Sequence, residues 1–165
     1  MSKLLVTLLV SLVLFSSPMM VKAAEIEGGE VLKFGIFKTE LIRTEAVSEA
    51  AGGTKGVVKN QKLVEATTRI PALKGLEFGF EYVIRGQPAG DTVEVTHRYL
   101  HPSMTNPQTK KFFGSQTTRG KQKIGRTAYV GYEFEDDWEA VPGEWTIQVF
   151  CQGKKIAEKS FQITK

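Results

Sequence analysis

The chain has 165 residues, 22 basic against 18 acidic side chains, and a net charge of +4. Its one cysteine, Cys151, excludes an internal disulfide framework, and so small a charge excess does not call for nucleic acid as a partner. An apolar content of 41% is enough for the core of one ordinary domain.

The chain opens on a three-part leader. Lys3 gives a positive start, residues 4–15 are an apolar run, and Pro18 breaks it before the Val21-Lys22-Ala23 stretch that suits cleavage after Ala23. The run is shorter than the roughly 20 residues that span a bilayer. Residues 1–23 therefore read as a signal peptide. Residues 24–165 are then a single mature domain, periplasmic or secreted, with no membrane span after cleavage.

Residues 24–30 are polar, contain Gly28-Gly29 and read as a flexible lead-in. Residues 31–43 predict a strand with a bend or bulge at Gly35. Residues 44–56 predict a connecting loop, with one helical turn through 45–50. Residues 57–70 predict a less regular strand, stopped by Pro71, because residues before proline prefer extended backbone.

The cleanest alternation follows. Leu76, Phe78, Phe80, Tyr82 and Ile84 fall on one face, and Glu77, Gly79, Glu81, Val83 and Arg85 on the other. That period of two marks a strand with one buried face. After a turn at 86–91, residues 92–100 predict a strand and residues 101–108, carrying Pro102 and Pro107, an irregular loop. Residues 110–120 read either as a short strand or as a loop packed over the core. Residues 124–135 predict a strand and 136–142 a crossing loop. Trp145, Ile147, Val149 and Cys151 then alternate with polar neighbours, and a turn at Gly153-Lys154 leads into a last strand. Seven or eight mostly antiparallel strands with regular turn signals predict an all-β sandwich or barrel.

Two resemblances refine this. The closing pattern Gly143-x-Trp145-x-Ile147-x-Val149, Gly153-Lys154, Phe161-x-Ile163 resembles the last two strands of immunoglobulin-like domains in bacterial exported proteins. The resemblance implies an immunoglobulin-like β-sandwich, and a fold does not carry an activity. The central Gly75-x-x-Phe78-Gly79-Phe80-x-Tyr82-x-Ile84-x-Gly86-x-Pro88-x-Gly90, followed by His101-Pro102-x-Met104-x-x-Pro107, resembles a family of small exported bacterial proteins of unknown function. That likeness brings no site and no cofactor with it.

No Gly-x-Ser-x-Gly elbow, His-Glu-x-x-His pair or phosphate-cradling glycine loop occurs, so no catalytic set and no cofactor are expected. Charge is the other signal. Residues 110–126 hold six basic side chains and no acid, and residues 133–144 hold six acids and no base. The ordinary account is two solvated loops of opposite sign. The functional account is a binding edge for an anionic envelope component or protein, carried by Lys110, Lys111, Phe112, Phe113, Arg119, Lys121, Lys123 and Arg126. The competing expectation is a small exported metal-binding protein or enzyme using His97, His101 or Cys151. Residues four apart on a strand lie roughly 13 Å apart, which separates His97 from His101, and the alternation turns Cys151 inward. An unpaired edge strand would also let two copies associate as a homodimer.

Overall fold

The computed structural model describes residues 23–165; the leader, apart from Ala23, lies outside the described residues. Among the described residues, nine strands form two sheets. They are β1 (Glu25–Ala46), β2 (Thr54–Glu65), β3 (Arg69–Pro71), β4 (Glu77–Gln87), β5 (Thr92–Thr105), β6 (Phe112–Lys123), β7 (Thr127–Glu133), β8 (Gly143–Cys151) and β9 (Lys154–Thr164). The first sheet runs β2-β1-β4-β7 and the second β3-β9-β8-β5-β6. All pairings are antiparallel except the three-residue contact of β3 with β9.

The core follows the alternation. Phe78, Phe80, Tyr82 and Ile84 of β4 are fully buried, and so are Trp145, Ile147 and Val149 of β8. Trp145 sits at the centre of an aromatic cluster. Phe78, Tyr132 and Phe134 lie 5.9, 5.0 and 5.6 Å from it, and the His101 ring stacks on it at 4.7 Å. Tilted and edge-on pairs of this kind add about 0.5–1.5 kcal/mol each beyond area burial. The Trp145 indole N–H donates to Val141 O at 3.0 Å, so its one polar atom is satisfied inside the core.

Several boundaries differ from the sequence expectation. Residues 25–30 are paired strand, not a flexible lead-in. Gln152 Nε2 donates to Ala24 O (2.8 Å) and the Lys154 ammonium to Glu27 O, which ties this segment to the β8–β9 turn. Residues 57–70 are not one strand. β2 ends at Glu65 in the first sheet, and β3 crosses to the second, where Ile70 is fully buried. Residues 101–105 continue β5 across a register irregularity between Leu100 and Met104. A bulge absorbs the extra residues without ending the strand. Residues 45–50 hold no helical turn: β1 runs through Ala46 into a reversal.

Residues 110–126 are not a basic loop either, because most of them form β6, the edge of the second sheet. The inward positions there, Gln116 and Thr118, are polar, so the segment shows no apolar alternation although its backbone is fully extended.

β1 is unusually long, and its two halves do different things. From Glu25 to Gly35 it pairs with β4 alone, and at Ile36 and Phe37 with both β4 and β2. Beyond Phe37 it pairs with β2 alone. Three register irregularities fall in that outer hairpin, between Ile36 and Phe37, Lys38 and Glu40, and Leu41 and Arg43. Each adds twist to a two-stranded ribbon. The ribbon leaves the first sheet and reaches the far sheet as a strap.

Candidate functional site

The strap ends in a reversal at residues 47–53, closed by Val47 N–H to Gly53 O (2.8 Å) and Gly53 N–H to Ala50 O (2.9 Å). Its tip docks on the second sheet. Ala50 and Ala51 are buried, and the Ala51 N–H donates to Gln116 Oε1 at 2.8 Å. Asn106 Nδ2 donates to Ala51 O at 3.4 Å, and Lys55 Nζ donates to Arg119 O on β6 at 2.6 Å.

Beneath the strap lies a cavity of about 940 Å³. Its walls are the strap, the free edge of β6 and the free edge of β7. His97 and Tyr99 of β5 lie behind β6 in the same cavity. The opening sits on the side of the sandwich where, among the described residues, β6 and β7 are the last strands of their sheets.

One end is basic. Arg43, Lys55, Arg119 and Lys121 border it, with Glu45 bridging Arg43 (2.7 Å) and Lys55 (3.3 Å). The other end is acidic, with Glu133, Glu135 and Glu139 close to the strap tip at Gly52. Glu139 lies in a short 3-10 turn (Asp137–Glu139), is almost wholly buried, and accepts the Glu135 N–H at 2.9 Å. Burial pushes its carboxyl up to about 7, against the backbone hydrogen bonds that favour the charged form.

Glu77 is the second buried carboxyl of this wall, after Glu139. Thr39 Oγ1 donates to it at 2.7 Å and Tyr129 Oη at 2.9 Å. Desolvation raises its pKa and these two donors oppose the rise. Tyr129 reaches Glu77 by lying across Gly131: a Cβ on Gly131 would stand 2.0 Å from the Tyr129 hydroxyl.

The buried polar groups are joined through Gln116. Its Nε2 donates to Tyr132 Oη (3.2 Å) and to His101 Nε2 (3.4 Å), while its Oε1 holds the strap tip. His101 Nδ1 lies 2.8 Å from Pro102 O, which can only accept, so Nδ1 carries the proton and Nε2 is the acceptor. Burial holds His101 below the ordinary imidazole range.

Of the residues expected to bind a partner, Arg119 and Lys121 border the cavity. Lys123 shares their outward face of β6 but lies beyond the cavity, and Arg126 sits in the following turn. Lys110 and Lys111 occupy the β5–β6 turn at the opposite end of the strand, where Asn106 Oδ1 accepts the N–H groups of Gln108 and Thr109. A strand of twelve residues is about 40 Å long, so the basic run is not one patch. Phe112 is 68% exposed, whereas Phe113 packs against the core.

His97, His101 and Cys151 do not come together as a site. His97 Nε2 lies 3.2 Å from Tyr82 Oη, with burial first and the charge of Lys55 second pulling its pKa down to about 4. His101 is engaged with Pro102 and Gln116. Cys151 is buried on the core face of β8, and burial raises its thiol. Among the described residues no three His, Cys, Asp or Glu side chains are placed to hold one metal ion.

The participants that the sequence reading missed are Arg43, Lys55, Glu77, Gln116 and Tyr129, while Glu139 counted only as one of the acids of residues 133–144. Glu77 stood on the polar face of the most regular strand, where nothing local reported that a distant hairpin would cover it.

Residues 27–163 match the family described as a domain of unknown function, DUF3859, and the chain belongs to that family. An immunoglobulin-like protein from Pseudomonas aeruginosa, solved by crystallography, is 28% identical. The match covers 88% of this chain and 99% of that one, with a TM-score of 0.58. An alkylpurine DNA glycosylase from Pseudomonas fluorescens, solved on DNA containing an abasic-site analogue, matches at 11% identity over 59% of this chain and 28% of that one, with a TM-score of 0.37. No curated protein matches the chain. The fold is therefore an immunoglobulin-like β-sandwich of a bacterial family, as the two sequence resemblances imply.

Proposed function

We propose that this DUF3859 chain is an exported, non-catalytic binding module, and that the cavity beneath the β1–β2 strap takes an anionic partner in the periplasm or outside the cell. The observation that carries the reading is the cavity itself, about 940 Å³ of space between two free sheet edges with four cationic side chains at one end. Cations gathered at one end of a concave surface raise the local potential for an anion. The leader supports export. The hydrogen-bonded, inward positions of His97, His101 and Cys151 do not favour metal or thiol chemistry.

The test uses immobilised polyglutamate, lipopolysaccharide and polygalacturonate at low and high salt. Retention of the wild-type chain should fall with salt. The double variant Arg119→Glu/Lys121→Glu should lose it. Lys123→Glu/Arg126→Glu, which alters charge outside the cavity, should keep it at the same melting temperature. Equal retention of both variants, or no retention of wild type on any of the three surfaces, overturns the reading.

A further inference from the structure

Beyond the inward Gln116, the residues of β6 that border the cavity are consecutive over 118–122, and those of β7 over 127–133. A strand that turns a face to a cavity contributes every second residue. A consecutive run means that the strand borders the cavity with its edge, so its peptide groups are turned toward the space. Both strands are terminal in their sheets and each is paired on one side only. Among the described residues, the single hydrogen bond from outside the ladder to the backbone of 118–122 is the one from Lys55 Nζ to Arg119 O.

We propose that the occupant of this cavity is an extended polypeptide segment that adds to the free edge of β6 as an antiparallel strand beneath the strap. The proposal rests on the binding-module reading and deepens it by naming the class of partner. An unpaired row of N–H and C=O groups is a template for another strand, and strand addition draws affinity from main-chain hydrogen bonds and specificity from alternate side chains. The five residues 118–122 span about 17 Å, the length of an ordinary strand, and an added strand would lie about 4.8 Å away. On its arrival the Lys55 ammonium moves off Arg119 O and becomes free for an acidic side chain of the segment.

For a segment antiparallel to β6, as β5 is, charge sets the order of its side chains. Lys121 marks one end of the free edge, and the Gln116 end faces Glu135 and Glu139 through the strap tip. A segment antiparallel to β6 enters with its N-terminal part near Lys121. Complementarity therefore asks for acidic residues at its start and basic residues at its end, with small or β-branched residues between them.

The probe is a fluorescent peptide of sequence Glu-Glu-Thr-Val-Thr-Val-Thr-Lys-Lys, compared with its charge-reversed order and with a version N-methylated at alternate residues. Anisotropy titration should show saturable binding of the first peptide, at least tenfold weaker binding of the reversed one, and loss of binding on N-methylation. Amide exchange at 118–122 should slow when the first peptide is bound. Equal binding of the N-methylated peptide, unchanged exchange at 118–122, or no binding of any peptide overturns the proposal. Retention of the chain on polygalacturonate without peptide binding would leave the binding module standing and remove the added strand. Failure on every surface and with every peptide would remove both.

Discussion

The Ala51 N–H and the Gln116 Oε1 meet at 2.8 Å across 65 positions of sequence, and this bond fastens the strap to the second sheet. Gln116 also donates to Tyr132 and His101, so one buried amide joins the strap tip, the β7 edge and the Trp145 cluster. Replacing Gln116 with Ala leaves the Ala51 N–H without its acceptor. The expected cost is about 1–3 kcal/mol. Hydrogen exchange should accelerate at residues 47–53 and far less in β8. Equal protection at 47–53 in wild type and variant would show that the strap does not depend on this bond. Gln116→Glu keeps an acceptor for Ala51 and loses both donors, so its cost should be smaller at the tip.

Tyr129 depends on a missing side chain. A Cβ on Gly131 would collide with the Tyr129 hydroxyl, the group that donates to Glu77. Gly131→Ala should therefore expel Tyr129 from its place and destabilise by about 1–3 kcal/mol. Gly131→Ala in a Tyr129→Phe background should still clash with the ring but cost less, because the hydroxyl is the nearest contact. Chemical denaturation of the two single variants and the double variant measures the coupling, and strictly additive losses would refute this contact as the cause.

Glu139 and His97 give opposite pH dependences. Glu139 has its pKa raised to about 7 from 4.5, so the folded chain holds that proton more tightly. Its contribution is fully present below pH 4.5 and is lost as pH rises through about 7. His97 is lowered from 6.5 to about 4, so its contribution is present above pH 6.5 and is lost as pH falls toward 4. Glu77 is raised like Glu139 and adds to the same side. The variant Glu139→Gln should gain on wild type by about 2 kcal/mol as pH goes from 4.5 to 7, and His97→Gln should gain on wild type as pH goes from 6.5 to 4. Urea midpoints at four pH values decide the matter. A Glu139→Gln curve parallel to wild type would sink the first assignment.

Cys151 and Trp145 report on the core from opposite ends of the buried face of β8. The Cys151 thiol is buried and its pKa raised, so it should react with a disulfide reagent only after denaturant is added. Trp145→Ala removes the centre of the aromatic cluster and leaves Val141 O without its donor. A loss of about 3–5 kcal/mol is expected, together with Cys151 becoming reactive in native buffer. A Trp145→Ala chain with an unreactive thiol would mean that the core closes around the cavity.

The strands with one apolar face were readable directly. Phe78, Phe80, Tyr82 and Ile84 are buried as their alternation requires, and Trp145, Ile147, Val149 and Cys151 likewise. β6 was not readable in this way, because Gln116 and Thr118 are buried without being apolar and their partners lie on other elements. The break between β2 and β3 was equally silent: a strand that changes sheets shows no change in composition. Of the basic run, residue type and sign were legible, but the separation of Lys110 and Lys111 from Arg119 and Lys121 along one strand was not.

The local sequence determined which face of each strand points inward, because side chains alternate with period two and apolar area removed from water outweighs any other local preference. It also determined that Cys151 would pack as an apolar group and that no disulfide would brace the domain. Only the tertiary structure decided where the first hairpin goes. Its course depends on twist accumulated through three irregularities in β1–β2 and on a single amide 65 positions away. That course covers Glu77, buries Glu139 and encloses the cavity, so the region assigned to binding exists through long-range geometry that no short stretch of residues encodes.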